Sequence, residues 1–370
     1  MTLWIDGRPF NSKDFRGLQK LIPQRPDLED VVSFLKFWYS DVESWVVQTS
    51  GSTGIPKSVP ILRAQMISSA RLSLFHFGFS SKADAFLLCI STRFVGGFMV
   101  LVRAFLSGLD VWVEPPSSKP MKKMPPLALE RNWFLSVAPL QLDYLSKQPQ
   151  IRAASRNWKG ILVGGASLSK SQLDSAQLFA CPVYHTYGMT ETVSHIAVSQ
   201  VNGSTTESGS VFQVLNGIQI RQNENQCLEV RGEPTQNQWV TTRDRVEFLS
   251  EGRFRVLGRL DRVINSGGLK VDPDWIKEKL LELKPNIGFP FEIIGIPDEI
   301  LGQKVILVFE KTDSDYLPVD WQNLFQNLDN SIDPRLIPKE IIGVPEIPML
   351  ENYKVNFPEL ERLVKLNING

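Results

Sequence analysis

Thr49-Ser50-Gly51-Ser52-Thr53-Gly54-Ile55-Pro56-Lys57 decides how the rest of this chain is read. Four hydroxyls, two glycines and a lysine fall within nine residues, and the apolar run Trp45, Val46, Val47 leads into them. Glycines let backbone N–H groups turn inward, hydroxyls donate further hydrogen bonds, and lysine adds a point charge. Together they suit a polyphosphate. A Walker loop needs G-x-x-x-x-G-K-[ST] with a helix N-terminus under the phosphates. Aligned on Gly51, Lys57 and Ser58, its second glycine falls on Pro56, which has no N–H. Ser58 to Ile61 read as extended, and Pro60 discourages an immediate helix. The expectation is therefore a strand–loop–strand phosphate hairpin. A plain Ser/Gly surface turn is the competing reading.

Outward from the loop, 370 residues leave room for two or more domains and a large core. Forty basic and forty acidic side chains cancel, so no net field favours nucleic acid or an anionic membrane. Three cysteines lie far apart and three histidines form no zinc pattern, which suits a reducing, cytoplasmic setting. Met1 to Phe10 has no apolar signal core, and the apolar window Val95 to Val113 is broken by Arg103 and Asp110, so no membrane span is expected. A homo-oligomer is left open.

Apolar runs and helical spacing alternate. Helices are expected over Leu28 to Tyr39, Arg63 to Phe79 and Val95 to Leu106, and from Leu140. Strands are expected near residue 1 and over Ala85 to Ile90, Leu109 to Val113, Phe134 to Ala138 and Gly160 to Val163. That alternation predicts an α/β fold on parallel sheets covered by helices. From Ser210 to Phe254 short alternating runs predict a small β-barrel or hairpin subdomain. A boundary at Arg259 to Asp261 divides a large N-terminal domain, 1–259, from a small α+β C-terminal domain, 260–370.

Three further stretches carry chemistry. In Tyr187-Gly188-Met189-Thr190-Glu191-Thr192 a glycine lets backbone approach a ligand, Thr190 can donate to a phosphate and Glu191 can hold Mg²⁺. Gly164-Gly165-Ala166 follows a strand, where a flat ring could lie on bare backbone. Gly258 to Val271, with Gly267-Gly268 among charges, reads as a bend at a domain join. Taken singly, these are ordinary loops.

Taken in order, the pieces resemble the adenylate-forming enzymes, the family of acyl-CoA synthetases, luciferases and peptide-synthetase adenylation domains. The resemblance runs from Thr49 to Leu360. It also takes in Phe291 to Asp298 with Leu301-Gly302-Gln303, and Ile337 to Ile342 leading to Lys354. It implies that Thr49, Ser50, Gly51, Ser52, Thr53, Gly54 and Lys57 hold the β- and γ-phosphates of ATP. Tyr187 and Gly165 would pack about the adenine, with Gly164, Ala166 and Gly188 also in the cofactor site; Thr190 would meet the α-phosphate, and Glu191 would bind Mg²⁺. Asp244, helped by Arg259, would take the ribose hydroxyls. Lys354 would bridge carboxylate and α-phosphate during adenylation. The small domain would then rotate about Asp261, withdrawing Lys354 and presenting Gly267 and Gly268 to coenzyme A, with Lys270 as a further cofactor-binding residue. Three positions depart from the family pattern: Arg243 and Tyr353 stand where glycine is usual, and Ser91 to Gly97 replaces a segment that begins with histidine.

Only 48 residues precede the loop, and the run Tyr187 to His195 resembles the version carried by o-succinylbenzoate–CoA ligases of menaquinone synthesis. Such a substrate keeps one carboxylate, which needs a cation or several donors. Arg93 and His195, with Gly97 at the pocket mouth, are the expected readers. Competing readings are a ligase for another small aromatic or fatty acid or a carrier-protein loader, a P-loop NTPase, and a non-catalytic acyl-adenylate binder.

Overall fold

The computed structural model describes residues 1–49, 57–79, 84–124, 126–129, 131–203, 211–284, 287, 289–311, 320–329, 333–350 and 354–369. Thr2–Ile5 (β1) and Arg8–Asn11 (β2) form an antiparallel hairpin where one strand was expected. Phe15–Gln19 (α1) and Leu28–Trp38 (α2) follow, and α2 buries Leu28, Val31, Phe34 and Leu35, spaced as one helix face. Ser44–Thr49 (β3) pairs antiparallel with Lys57–Leu62 (β4), from Ser44 opposite Leu62 to Thr49 opposite Lys57. The loop's flanks thus take the expected strand–loop–strand form, with no helix at its exit. Ser50, Gly51, Ser52, Thr53 and Gly54 lie outside the described residues.

Next come Arg63–Phe77 (α3), Asp84–Leu88 (β5), Val95–Ser107 (α4), Asp110–Val113 (β6), Pro126–Leu129 (α5) and Asn132–Val137 (β7). Pro139–Ser146 (α6), Pro149–Ala154 (α7), Gly160–Val163 (β8), Lys170–Ala176 (α8) and Val183–Gly188 (β9) complete the alternation. The strands lie in the order β1-β6-β5-β7-β8-β9, every neighbour parallel. The chain leaves β5 toward β6 and returns on β5's other side as β7. That reversal opens a crevice at the strands' carboxyl ends, where ligands sit in such sheets. α4, which springs from β5, is buried without interruption from Gly97 to Ala104, so it is a core helix and not an amphipathic cover. α3 packs against it, burying Ser68, Ser69 and Ser73 beside Met66 and Ala70.

At β9 the sheet changes character. His195–Gln200 (β10), Val211–Val214 (β11), Gln219–Gln222 (β12), Cys227–Arg231 (β13), Val240–Ser250 (β14) and Arg253–Arg259 (β15) pair only antiparallel. These are the short alternating strands expected after residue 210, and among the described residues they take the hairpin form and close no barrel. Because β10 pairs with β9, they continue the main sheet to thirteen strands.

Ile264–Ser266 (β16) and Leu269–Val271 (β17) form a hairpin whose turn is Gly267-Gly268, with φ of +57° and +81°. Two left-handed residues in a two-residue hairpin select glycine, so this pair makes a tight turn where a bend at a domain join was expected. Pro273–Leu283 (α9), Phe291–Asp298 (β18), Gly302–Glu310 (β19), Trp321–Asp329 (α10), Glu340–Val344 (β20) and Phe357–Asn369 (α11) finish the chain. β20 adds parallel to β19 in a second sheet. Among the described residues, the two apolar clusters built from Ile264 onward contain no earlier residue. Cys89, Cys181 and Cys227 are free and buried. Among the described residues no helix is long and apolar enough to cross a membrane.

Candidate active site

The end of β9 meets β14 and β15 at one charged corner. Tyr187 Oη donates to Asp244 Oδ2 at 2.6 Å, and Arg259 Nη1 donates to Asp244 Oδ1 at 3.1 Å. The Tyr187 ring lies against Phe212 and Phe254, whose packing fixes its direction. Burial, and then the Asp244 charge, hold its hydroxyl well above the usual range. Asp244 and Arg259 face each other across the β14–β15 ladder, so the sheet register makes the pair. Each carboxylate oxygen keeps further lone-pair capacity for a ligand hydroxyl. Arg259 also grips Asp261 through Nε and Nη2, both at 3.0 Å, and Arg243 reaches Asp261 at 3.3 Å. Lys354, from the far end of the chain, joins the same corner electrostatically. Its side chain still reaches solvent. The surrounding protein and then Arg259 lower its ammonium's pKa, while Asp244 opposes the shift.

Beside this corner the chain turns from β9 into β10 through Thr190–Thr192, a single helical turn lying against β4. Thr190 and Glu191 are thereby brought beside β4. A Cβ on Gly188 would meet the Ser194 carbonyl at 2.1 Å, so only glycine admits the return strand. Buried Val193 adopts φ +66°. That conformation costs a β-branched residue about 1–3 kcal/mol and is held where its surroundings require it. Upstream, a Cβ on Gly164 would meet Thr186 Oγ1 at 2.5 Å, whereas Gly165, at φ +99°, faces open space. His185 Nε2 lies 3.1 Å from the Ala166 carbonyl, anchoring that loop.

Beneath the turn sits a cation. Arg103, in the middle of α4, is 2 % exposed. Its Nη2 donates to Ser194 Oγ at 3.3 Å, and Ser194 Oγ lies 3.3 Å from His195 Nδ1. Arg103 Nε and Nη1 and His195 Nε2 are buried with no hydrogen-bond partner among the described residues. The same holds for Ser69 and Ser73 on α3 and for Thr92 just ahead of α4. Burial alone brings Arg103 down to about 10, with no acidic group raising it, so it remains charged at neutral pH. Burial and then Arg103 push His195 well below its usual value, which keeps it neutral. Ser194, accepting from Arg103, can donate its hydroxyl hydrogen bond to Nδ1, which leaves Nε2–H as a donor. The result is a group of buried N–H donors carrying one positive charge. An unpaired buried charge costs several kcal/mol, which an anion in this place would offset.

Arg93 is corrected by the structure. Its side chain is 59 % exposed and lies 3.7 Å from Asp30 of α2, so it is no desolvated cation in a pocket. It stands ahead of α4, on the surface, because the helix begins only at Val95. Gly97 has a packing reason: its Cβ would meet the Ser91 carbonyl at 2.2 Å. Gly267, Gly268 and Lys270 are exposed on the β16–β17 hairpin. Lys57 and Thr49 close the β3–β4 ladder by their backbones. The buried cation of this region is Arg103, which the sequence reading noted only as a charge breaking an apolar window.

Residues 44–234 match the model of a family described as AMP-binding enzyme. A 2-succinylbenzoate–CoA ligase from Geobacillus sp. (strain WCH70) is 27 % identical over 369 residues, covering 92 % of this chain and 73 % of that protein. An acyl-CoA synthetase (AMP-forming)/AMP-acid ligase II-like protein from Dyadobacter fermentans DSM 18053 has a crystal structure that superposes with a TM-score of 0.57. It is 30 % identical, over 92 % of this chain and 95 % of that one. The o-succinylbenzoate coenzyme A synthetase of Bacillus subtilis, solved in complex with ATP and magnesium ion, shares the fold at a TM-score of 0.70 and 22 % identity, covering 85 % and 69 %. With the family model covering more than half of the chain, and a thirty-per-cent relative spanning nearly all of it, this chain belongs to the AMP-binding enzyme family.

Proposed function

We propose that this protein is a cytoplasmic acid–CoA ligase that activates o-succinylbenzoate with ATP and transfers the acyl group to coenzyme A. The observation that carries the choice of acid is the buried Arg103, joined by Ser194 to His195 and without an acidic partner among the described residues. A substrate carboxylate that is kept through the reaction supplies the missing charge and accepts from a guanidinium by parallel bonds. Fatty and simple aromatic monocarboxylic acids have no second carboxylate to place there. Relatives named as 2-succinylbenzoate–CoA ligases support the same reading.

In the first half-reaction the substrate carboxylate attacks the α-phosphorus of ATP; a P–O bond forms, the bond to pyrophosphate breaks, and acyl-AMP results. Asp244 and Arg259 would hold the ribose, Thr190 would donate to the α-phosphate, and the Thr49–Lys57 loop would hold the leaving pyrophosphate. Lys354 would meet the charge that gathers on the reacting oxygens, as preorganised donors do. Mg²⁺ fits a donor set of one exposed carboxylate, Glu191, because that ion keeps several waters and leans on phosphate oxygens. When bound, it would neutralise phosphate charge. In the second half-reaction the CoA thiol attacks the acyl carbonyl and AMP leaves. We place the division between domains at 259/260, with Asp261 as the pivot and Gly267, Gly268 and Lys270 on the side offered to coenzyme A.

ATP–pyrophosphate exchange measured across a panel of acids tests the reading. Exchange is expected with o-succinylbenzoate, weak with its analogue lacking the ring carboxylate, and followed by a CoA thioester when CoA is added. Equal exchange with monocarboxylic acids would point to another acid ligase. Exchange without any thioester on CoA would point to a carrier-protein loader.

A further inference from the structure

The helical turn Leu260–Arg262 that follows β15 has Arg259 at its entry, facing Asp244, and Arg262 at its other end. Both terminal nitrogens of the Arg262 guanidinium are engaged. Its Nη1 donates to Asp274 of α9, and its Nη2 lies 3.4 Å from the Ile293 carbonyl and 3.8 Å from Glu292. The other oxygen of Glu292 takes Lys277 at 2.7 Å. With its rim held by α9 and β18, the guanidinium presents its flat face, 4.0 Å from the ring centroid of Phe357. Phe357 opens α11 and packs with Val355 on the core of the second sheet.

Lys354 stands three residues before that ring. The stretch between them is short and tied down: Leu350 N–H donates to the Lys354 carbonyl at 2.7 Å, Asn356 N–H to the Pro348 carbonyl at 2.8 Å, and Met349 bridges Val355. A displacement of Phe357 therefore moves Lys354 with it. We propose that Arg262 is a positioning residue for Lys354. By stacking on Phe357 it fixes where the ammonium stands relative to Arg259 and Asp244. One turn of chain then sets both the ribose clamp and the charge that serves adenylation. The inference rests on the role given above to Lys354.

Arg262→Gln and Phe357→Leu are each expected to lower kcat for adenylation about 3- to 10-fold, the scale of a partly desolvated cation–π contact. The KM values for ATP and acid should stay within about twofold of wild type, since ground-state binding is untouched. Thioester formation from supplied acyl-AMP should not change, the double variant should be no slower than either single one, and Phe357→Tyr should behave as wild type. In a Lys354→Ala background, Arg262→Gln should have no further effect. Equal losses in both half-reactions, or a further loss in the Lys354→Ala background, would mark Arg262 as structural and overturn the proposal. So would Arg262→Gln and Phe357→Leu both behaving as wild type while Lys354→Ala is slow. Should Lys354→Ala itself leave adenylation intact, the underlying reading of that lysine fails, and this inference with it.

Discussion

Arg103 is a cation that the fold keeps from water, and removing it should separate stability from recognition. Arg103→Leu takes away a buried charge that has no acidic partner among the described residues and leaves apolar bulk in an apolar helix. Melting temperature is expected to hold or rise, because replacing buried charge by well-packed apolar groups is often neutral or stabilising. The kcat/KM for o-succinylbenzoate should fall roughly 30- to 1000-fold, or about 2–4 kcal/mol. The KM for ATP should barely move, and Arg93→Ala should be near wild type. A destabilised Arg103→Leu that still prefers the dicarboxylate would make this arginine structural. At this scale the sequence was a partial guide. It showed that a second carboxylate would need a cation, but pattern alone could not tell Arg93 from Arg103. Burial distinguishes the two, and burial depends on which helix ends up in the core.

The elements were more legible than the contacts between them. α2, α3, α4 and the parallel strands β1, β5, β6, β7 and β8 lie within a few residues of where spacing and apolar runs put them, whereas β9 was not legible as a strand. What spacing could not show was the serine stripe of α3, since Ser69 and Ser73 read as solvent residues until α4 lies against them. The Lys354 segment is another short element whose meaning depends on its neighbours. Its ammonium's pKa is lowered from the ordinary lysine value by the surrounding protein and then by Arg259, although the residue itself is exposed. A lowered pKa means that the proton leaves earlier as pH rises. Adenylation, which needs the charged form, should therefore decline on an alkaline limb set below that of an ordinary lysine. Lys354→Ala should abolish the limb and slow adenylation by ~10²–10³. Thioester formation from supplied acyl-AMP should keep most of its rate and show no such limb. Parallel pH profiles for the two half-reactions would contradict the assignment.

In the whole molecule a parallel sheet and an antiparallel one are a single plate, joined where β9 meets β10. The Tyr187–Asp244–Arg259 corner and the buried cation both lie at that join, and the thirteen-strand continuity could not be read from short strands alone. The plate and its helices also enclose the protein's three thiols. Burial pushes Cys181 up to about 12 and raises Cys89 further, and burial with Asp244 raises Cys227. An acyl-adenylate is a mixed anhydride that acylates any accessible thiolate, and a protein that makes one is its first neighbour. These thiols are neither accessible nor ionised. Turned over with ATP and acid in the absence of coenzyme A, the protein should keep its mass, with no acyl group found on Cys89, Cys181 or Cys227; such an adduct would contradict the burial. A catalyst built this way does not consume itself while it waits for its second substrate.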